Sequence, residues 1–151
     1  NILKLIEMFS TGDKKLTIYG PFDKHDPSYK TKVISAINEN ANVNYGGVLK
    51  HTEIVSTLSK YNTFYNISFS EGMPVAVLEA ASIGLNLVLS NIPQHIDLGF
   101  PDVCYVDPEA PICEKIFEGI SLINKNHVET YYSINSTVAN YQKLYTELSN
   151  V

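Results

Sequence analysis

Short apolar runs alternate with amphipathic stretches along the chain, and that alternation predicts its elements. Asn1 leads straight into Ile2, Leu3, Leu5, Ile6 and Phe9, the spacing of one helix face, with no capping signal ahead of it. This reads as a chain cut from something longer. Leu16-Thr17-Ile18-Tyr19 reads as a strand closed by Gly20-Pro21. Asp26 and Pro27 form a cap and a first helical position for a helix carrying Tyr29, Val33 and Ile37. Val43-Asn44-Tyr45 is a short strand ending at Gly46-Gly47, and Thr52-Glu53 start a helix with Ile54, Val55 and Leu58. Strands follow at Thr63 to Ile67, Leu85 to Leu89 and Val103 to Val106. Between the first two of these, a helix opens at Pro74 as its first residue and stops at Gly84. Pro111 opens a helix with Ile112, Ile116, Ile120 and Ile123 on one face. Tyr131, Ile134, Val138, Tyr141, Tyr145 and Leu148 step by three and four, which predicts one long final helix, placed at 127–150.

Strand and helix in turn mean crossover connections, hence a parallel sheet. The fold class is α/β: a Rossmann-like, doubly wound parallel sheet of five strands, with a sixth, its first, expected upstream. Such sheets bind ligands at the carboxyl ends of their strands. The loops to inspect follow Tyr19, Tyr45, Ile67, Leu89 and Val106. The final helix packs either on its own sheet or against a partner domain.

Composition narrows the partners. The chain has 151 residues, 44% of them apolar, which suffices for a packed core and excludes disorder. No apolar run approaches the about 18 residues of a membrane span. Two cysteines, Cys104 and Cys113, exclude a disulfide scaffold, and both read as reduced and buried. The net charge of -5 and the lack of a basic cluster argue against nucleic acid. Arginine is absent, so no bidentate guanidinium clamp can hold phosphate here. An anion must be met by lysine, backbone N–H groups or a helix N-terminus.

One stretch offers the last of these: Ser70-Glu71-Gly72-Met73-Pro74-Val75-Ala76-Val77-Leu78-Glu79. A strand ends, the chain turns at Gly72, and a helix begins. The amides of Gly72, Met73, Val75 and Ala76 fall where helix N–H groups lack partners and the dipole is positive. Glu71 and Glu79 frame the turn. A carboxylate accepts several hydrogen bonds, so Glu79 could take both hydroxyls of a ribose and Glu71 those of a second sugar. Spacing alone leaves this open, because a helical Glu ordinarily faces water. His25, His51, His95 and His127 are scattered without metal-ligand spacing, although His95 falls in a loop on the ligand-binding edge.

Glu71 to Glu79 resembles the E-x7-E motif of retaining glycosyltransferases of family 4, the glycosyl transferases group 1. Ser68-Phe69-Ser70-Glu71-Gly72 and Glu79-Ala80-Ala81-Ser82-Ile83-Gly84 follow its pattern, with Met73-Pro74 in place of Phe-Gly. Tyr45-Gly46-Gly47-Val48-Leu49, Ser90-Asn91-Ile92-Pro93 and Tyr105-Val106-Asp107-Pro108 are similar to further family segments. The resemblance spans nearly the whole chain. It implies the C-terminal, donor-binding half of a GT-B enzyme, with 1–151 as the nucleotide-sugar domain and an N-terminal acceptor domain elsewhere. It implies Glu71 as the catalytic residue on the donor sugar and Glu79 on the ribose. Gly72, Met73, Pro74 and Val75 would meet sugar and phosphates, and Val48 and Leu49 the base. Transfer would retain the anomeric configuration without a metal or other cofactor. The family's Arg and Lys phosphate contacts would lie just upstream of Asn1, so the isolated chain is expected to be inactive. A saccharide or lipid acceptor and a cytoplasmic location, with peripheral membrane association through the other domain, complete the expectation. The alternatives are a related nucleotide-sugar epimerase and a degenerate, non-catalytic interaction domain. A phosphate-accepting receiver is disfavoured, because the strand at Thr63 to Ile67 ends at Ser68 and not at an aspartate.

Overall fold

The computed structural model describes residues 1–110 and 121–149. The helix expected from Pro111 to Ile120, with Cys113, lies outside them. The order is α1 (Ile2–Met8), β1 (Leu16–Tyr19), α2 (Pro27–Asn38), β2 (Val43–Gly47), a single 3₁₀ turn (His51–Glu53), α3 (Ile54–Leu58) and β3 (Thr63–Asn66). Then come α4 (Val75–Ser82), β4 (Asn86–Ser90), α5 (Pro93–Ile96), β5 (Val103–Val106), α6 (Leu122–Tyr131) and α7 (Ile134–Ser149). All pairings are parallel, as a Rossmann-like α/β fold requires.

The strands form two hydrogen-bonded sheets rather than one: β1-β2 and β3-β4-β5. Leu16 faces Val43 in the first, and Phe64, Leu87 and Val103 share one register line in the second. The outer edges of β1 and β3 have no strand partner among the described residues. One core nonetheless joins the two sheets. Leu5 and Ile6 of α1, with Phe9 just after it, pack with Leu16, Ile18 and Val43 from one, and with Ile67 and Val88 beside the other. A second core lies on the opposite side of β4, where Leu87 and Leu89 meet Val77, Ala80 and Ala81 of α4. Every residue of β4 is buried, which accounts for the apolar Leu87-Val88-Leu89 at its centre.

Local chemistry sets the boundaries. The Asp26 carboxylate accepts from the Tyr29 amide at 2.9 Å, with Pro27 in the first turn. Gly84 ends α4 at φ 85°, its N–H donating to the Ala81 carbonyl and that of Leu85 to Ala80, a full Schellman motif. Gly46 has no alternative, because a Cβ there would collide with the Tyr19 ring.

The chain ends in a long helix as expected, α7 of 16 residues, but the helical stretch is broken once ahead of it. α6 ends at Tyr131, and the Ser133 hydroxyl accepts from the Ser136 amide at 3.2 Å, capping a new helix that starts at Ile134. On α7, Ile134, Val138 and Tyr141 are exposed. α6 is fastened to the β5 side instead. Buried Asn124 donates to the Asp102 carbonyl at 2.5 Å and accepts from its amide at 3.1 Å. Cys104 is half-buried rather than buried. No helix among the described residues is long and apolar enough to cross a membrane.

Candidate functional site

The connection from β3 to α4 carries Glu71, and α4 itself carries Glu79. β3 ends at Asn66, and its carboxyl end delivers Ser68 and Glu71 to the rim. The Glu71 carboxylate is held on one oxygen only. Ser68 Oγ lies 2.6 Å from Oε1 and Asn66 Nδ2 3.1 Å from it. Ser68 Oγ also lies 2.7 Å from Asn66 Oδ1, and its one proton favours the charged acceptor. Oε2 meets no protein donor among the described residues, so it remains available to a ligand hydroxyl. The start of α1, at Asn1, lies close to Glu71.

The turn itself is open. A Cβ added at Gly72 would meet nothing within 4 Å. Its φ is not positive, so the space beside it, rather than backbone strain, is what a side chain would take. Phe69, Met73 and Val75 stand 61%, 66% and 51% exposed, an unusual apolar rim for a loop.

Two expectations at this turn need correction. Pro74 is not the first helical residue but the N-cap of α4, and it is buried, facing away from the open side. The Val75 amide is not free. It donates to the Met73 carbonyl at 2.8 Å, closing a tight turn around Pro74. The amides of Gly72, Met73 and Ala76 meet no acceptor among the described residues, and these three are the donors left at the start of α4.

Glu79 sits one turn further along α4, its side chain 22% exposed. It is met by His51, whose Nδ1 lies 3.5 Å from Oε1 and whose side chain is 89% exposed. His51 opens the 3₁₀ turn after β2, so a second strand end reaches the same helix. That loop is fixed by the Glu53 carboxylate, which accepts from the Lys50 amide at 2.9 Å. Val48 just before it is 63% exposed, whereas Leu49 is half-buried. The structure thus gathers Glu71, Gly72, Met73 and Glu79 along one connection and the helix that follows it, with Val48 on the loop that leads to His51.

Three histidines gain partners that spacing did not reveal. His51 meets Glu79, His127 Nε2 lies 2.8 Å from the Leu98 carbonyl oxygen, and His95 is wholly buried. The ring of His95 therefore does not face the ligand edge. Its Nδ1 lies 3.0 Å from the Ser90 carbonyl oxygen and 3.1 Å from Ser90 Oγ, at the end of β4. Tyr105, whose pKa burial raises, places its hydroxyl 3.3 Å from the His95 carbonyl oxygen. Among the described residues no cluster of three metal-ligating side chains occurs.

The arrangement is a bare amide hollow at a helix start, bordered by two acids reached from two strand ends. It suits a ligand that carries an anion flanked by hydroxyls. A comparison with the curated proteins finds no match. The sequence model described as Glycosyl transferases group 1 matches residues 1–98, well over half of the 151. The match takes in α1 through the Glu71–Glu79 connection to α5, so the chain belongs to the glycosyl transferases group 1 family.

Proposed function

We propose that this glycosyltransferase chain is the donor-binding half of a retaining enzyme of family 4, which moves a hexose from a nucleoside-diphosphate sugar to a saccharide or lipid acceptor. The observation that carries the reading is the open Gly72 turn. Its spare amides lie beside Glu71, whose Oε2 is unclaimed, and ahead of Glu79 on the same helix. In this reading Glu79 accepts from the ribose hydroxyls, displacing His51, and the diphosphate lies against the Gly72, Met73 and Ala76 amides. Oε2 of Glu71 accepts from hydroxyls of the sugar, and the backbone at Val48 and Leu49 faces the base. The bond from the anomeric carbon to the diphosphate breaks while the acceptor oxygen bonds to that carbon on the same face. The acceptor's proton passes to the leaving phosphate oxygen. The reading includes no metal.

A further domain would bring the acceptor, and the exposed face of α7 at Ile134, Val138 and Tyr141 suits a contact with it. We also read the unpaired edges of β1 and β3 as flanking a parallel strand supplied by sequence upstream of Asn1. The bridging position of α1 across both sheets supports this. The phosphate cations would come from that same upstream sequence.

The test is sugar transfer by the full-length protein carrying Glu71→Gln or Glu79→Gln. Loss of a charged hydrogen bond predicts a drop of about ten- to a hundredfold in kcat/KM for each. Transfer unchanged in Glu71→Gln would overturn the role given to Glu71, and no transfer by the unsubstituted full-length protein would favour a non-catalytic interaction domain.

A further inference from the structure

We propose that His95 is a positioning residue for Glu71, acting through Ser90 and Ser68. The inference rests on the reading that Glu71 touches the donor sugar, and it adds a residue that never meets the ligand.

The chain of contacts is short and continuous. The Ser90 carbonyl can only accept, so the His95 nitrogen 3.0 Å away, Nδ1, carries the proton. Ser90 Oγ lies 3.1 Å from the same nitrogen and spends its own hydrogen on the Ser68 carbonyl at 2.6 Å. Ser68 in turn sets its hydroxyl 2.6 Å from Glu71 Oε1. Ser68 is thus fixed at its carbonyl by β4 and at its hydroxyl by the glutamate.

His95 is 0% exposed, and its Nε2 meets no hydrogen-bond partner among the described residues. A buried polar ring with one bare nitrogen is a poor choice for packing alone, since an apolar side chain would fill the space without that cost. What the ring supplies is a donor at Nδ1, aimed at both oxygens of Ser90. α5 makes this possible. Its single turn after Ile92 folds His95 back beneath the end of β4, where the Leu98 amide also bonds to its carbonyl at 3.3 Å.

Two substitutions separate positioning from packing. In His95→Asn the amide nitrogen falls where Nδ1 was and can still donate to Ser90. In His95→Gln it falls nearer the place of Nε2, and Ser90 loses its donor. The full-length protein is assayed with whichever of UDP-glucose, GDP-mannose and ADP-glucose it turns over, and with the matching nucleoside diphosphate as inhibitor. Expected is a fall in kcat/KM on the order of ten- to a hundredfold for His95→Gln, with inhibition by the diphosphate unchanged and transfer largely restored in His95→Asn. Equal losses in both variants, with weakened diphosphate inhibition, would mean a packing role and overturn the proposal. Full activity in His95→Gln beside a crippled Glu71→Gln would overturn it too. If Glu71→Gln itself transfers normally, the fault lies with the role given to Glu71. The relay is then read by nitrogen NMR of the His95 ring: a proton on Nδ1 supports it and a proton on Nε2 overturns it.

Discussion

A carboxylate bound by the protein on one oxygen and bare on the other is half a recognition site. Asn66 and Ser68 restrict the torsions of Glu71 and leave Oε2 bare, so under the proposed function less entropy would be lost when the donor sugar binds it. Asp26 uses the same functional group for a different end. Its carboxylate accepts from the Tyr29 amide and the Ser28 hydroxyl, and those bonds, the backbone one first, lower its pKa. A lowered value means that the folded state holds the proton less tightly than the unfolded chain does. The resulting stability is present above the unfolded carboxylate range, about pH 4, and is lost as pH falls through the lower folded value. Asp26→Asn keeps a capping oxygen but cannot titrate. Urea unfolding at neutral pH should differ little between the two proteins. At about pH 3 the wild type should lose what this site contributes and fall below the variant, whose cap does not titrate. An acid limb identical in both would show that the Asp26 cap contributes nothing to it.

Two glycines bracket α4, and they do different jobs. Gly84 adopts φ 85° to close the Schellman motif, a conformation that costs an alanine about 1–2 kcal/mol. Gly72 has a negative φ and open space where a side chain would go. Gly84→Ala should therefore lower the thermal midpoint by several degrees, the shift expected for such a loss in a domain of this size. Gly72→Ala should leave that midpoint within the scatter of surface substitutions while weakening donor use, because its methyl group enters the hollow. Calorimetry and a transfer assay on both variants check the pair, and a destabilised Gly72→Ala would mean that the turn is structural. Elements of this kind were legible from sequence because their signals are local. Leu16–Tyr19 and Val103–Val106 follow their apolar runs, α2 its Asp-Pro start and α4 its glycine stop. What stayed hidden depends on contacts across the fold. α5 is four residues long, too short to show a helical period, yet it decides that His95 is buried. No spacing pairs His51 with Glu79 or Ser68 with Ser90. The break at Ser133 hides inside an unbroken three-and-four rhythm, because a serine cap changes the backbone path without changing the apolar pattern. At the site, the motif gave the two glutamates and the open turn. It could not tell that Pro74 turns inward and that Met73 takes the Val75 amide.

Alternation of strand and helix fixes that strands run parallel, but not which edges meet, and this limit shows at the scale of the molecule. Two parallel sheets share a core through α1 without sharing a hydrogen bond between strands. An edge strand leaves a row of amides and carbonyls without strand partners, and parallel sheets are ordinarily covered and paired. β4 is buried at all five positions, whereas β3 is half-buried at all four. If the edges of β1 and β3 receive a strand from sequence upstream of Asn1, a chain extended in that direction should differ in a localised way. Amide exchange should slow by roughly tenfold or more in β1 and β3, the two strands gaining a neighbour. β2 and β5, which lie at the far edges, should gain only what the whole domain gains in stability. The comparison is hydrogen exchange on the 151-residue chain and on the extended one, read strand by strand. Slowing spread evenly over all five strands would point to general stabilisation, and no slowing in β3 would show that its edge takes no strand. A gain confined to β1 and β3 would also bring the upstream residues close to Glu71, where the proposed donor diphosphate would call for cations.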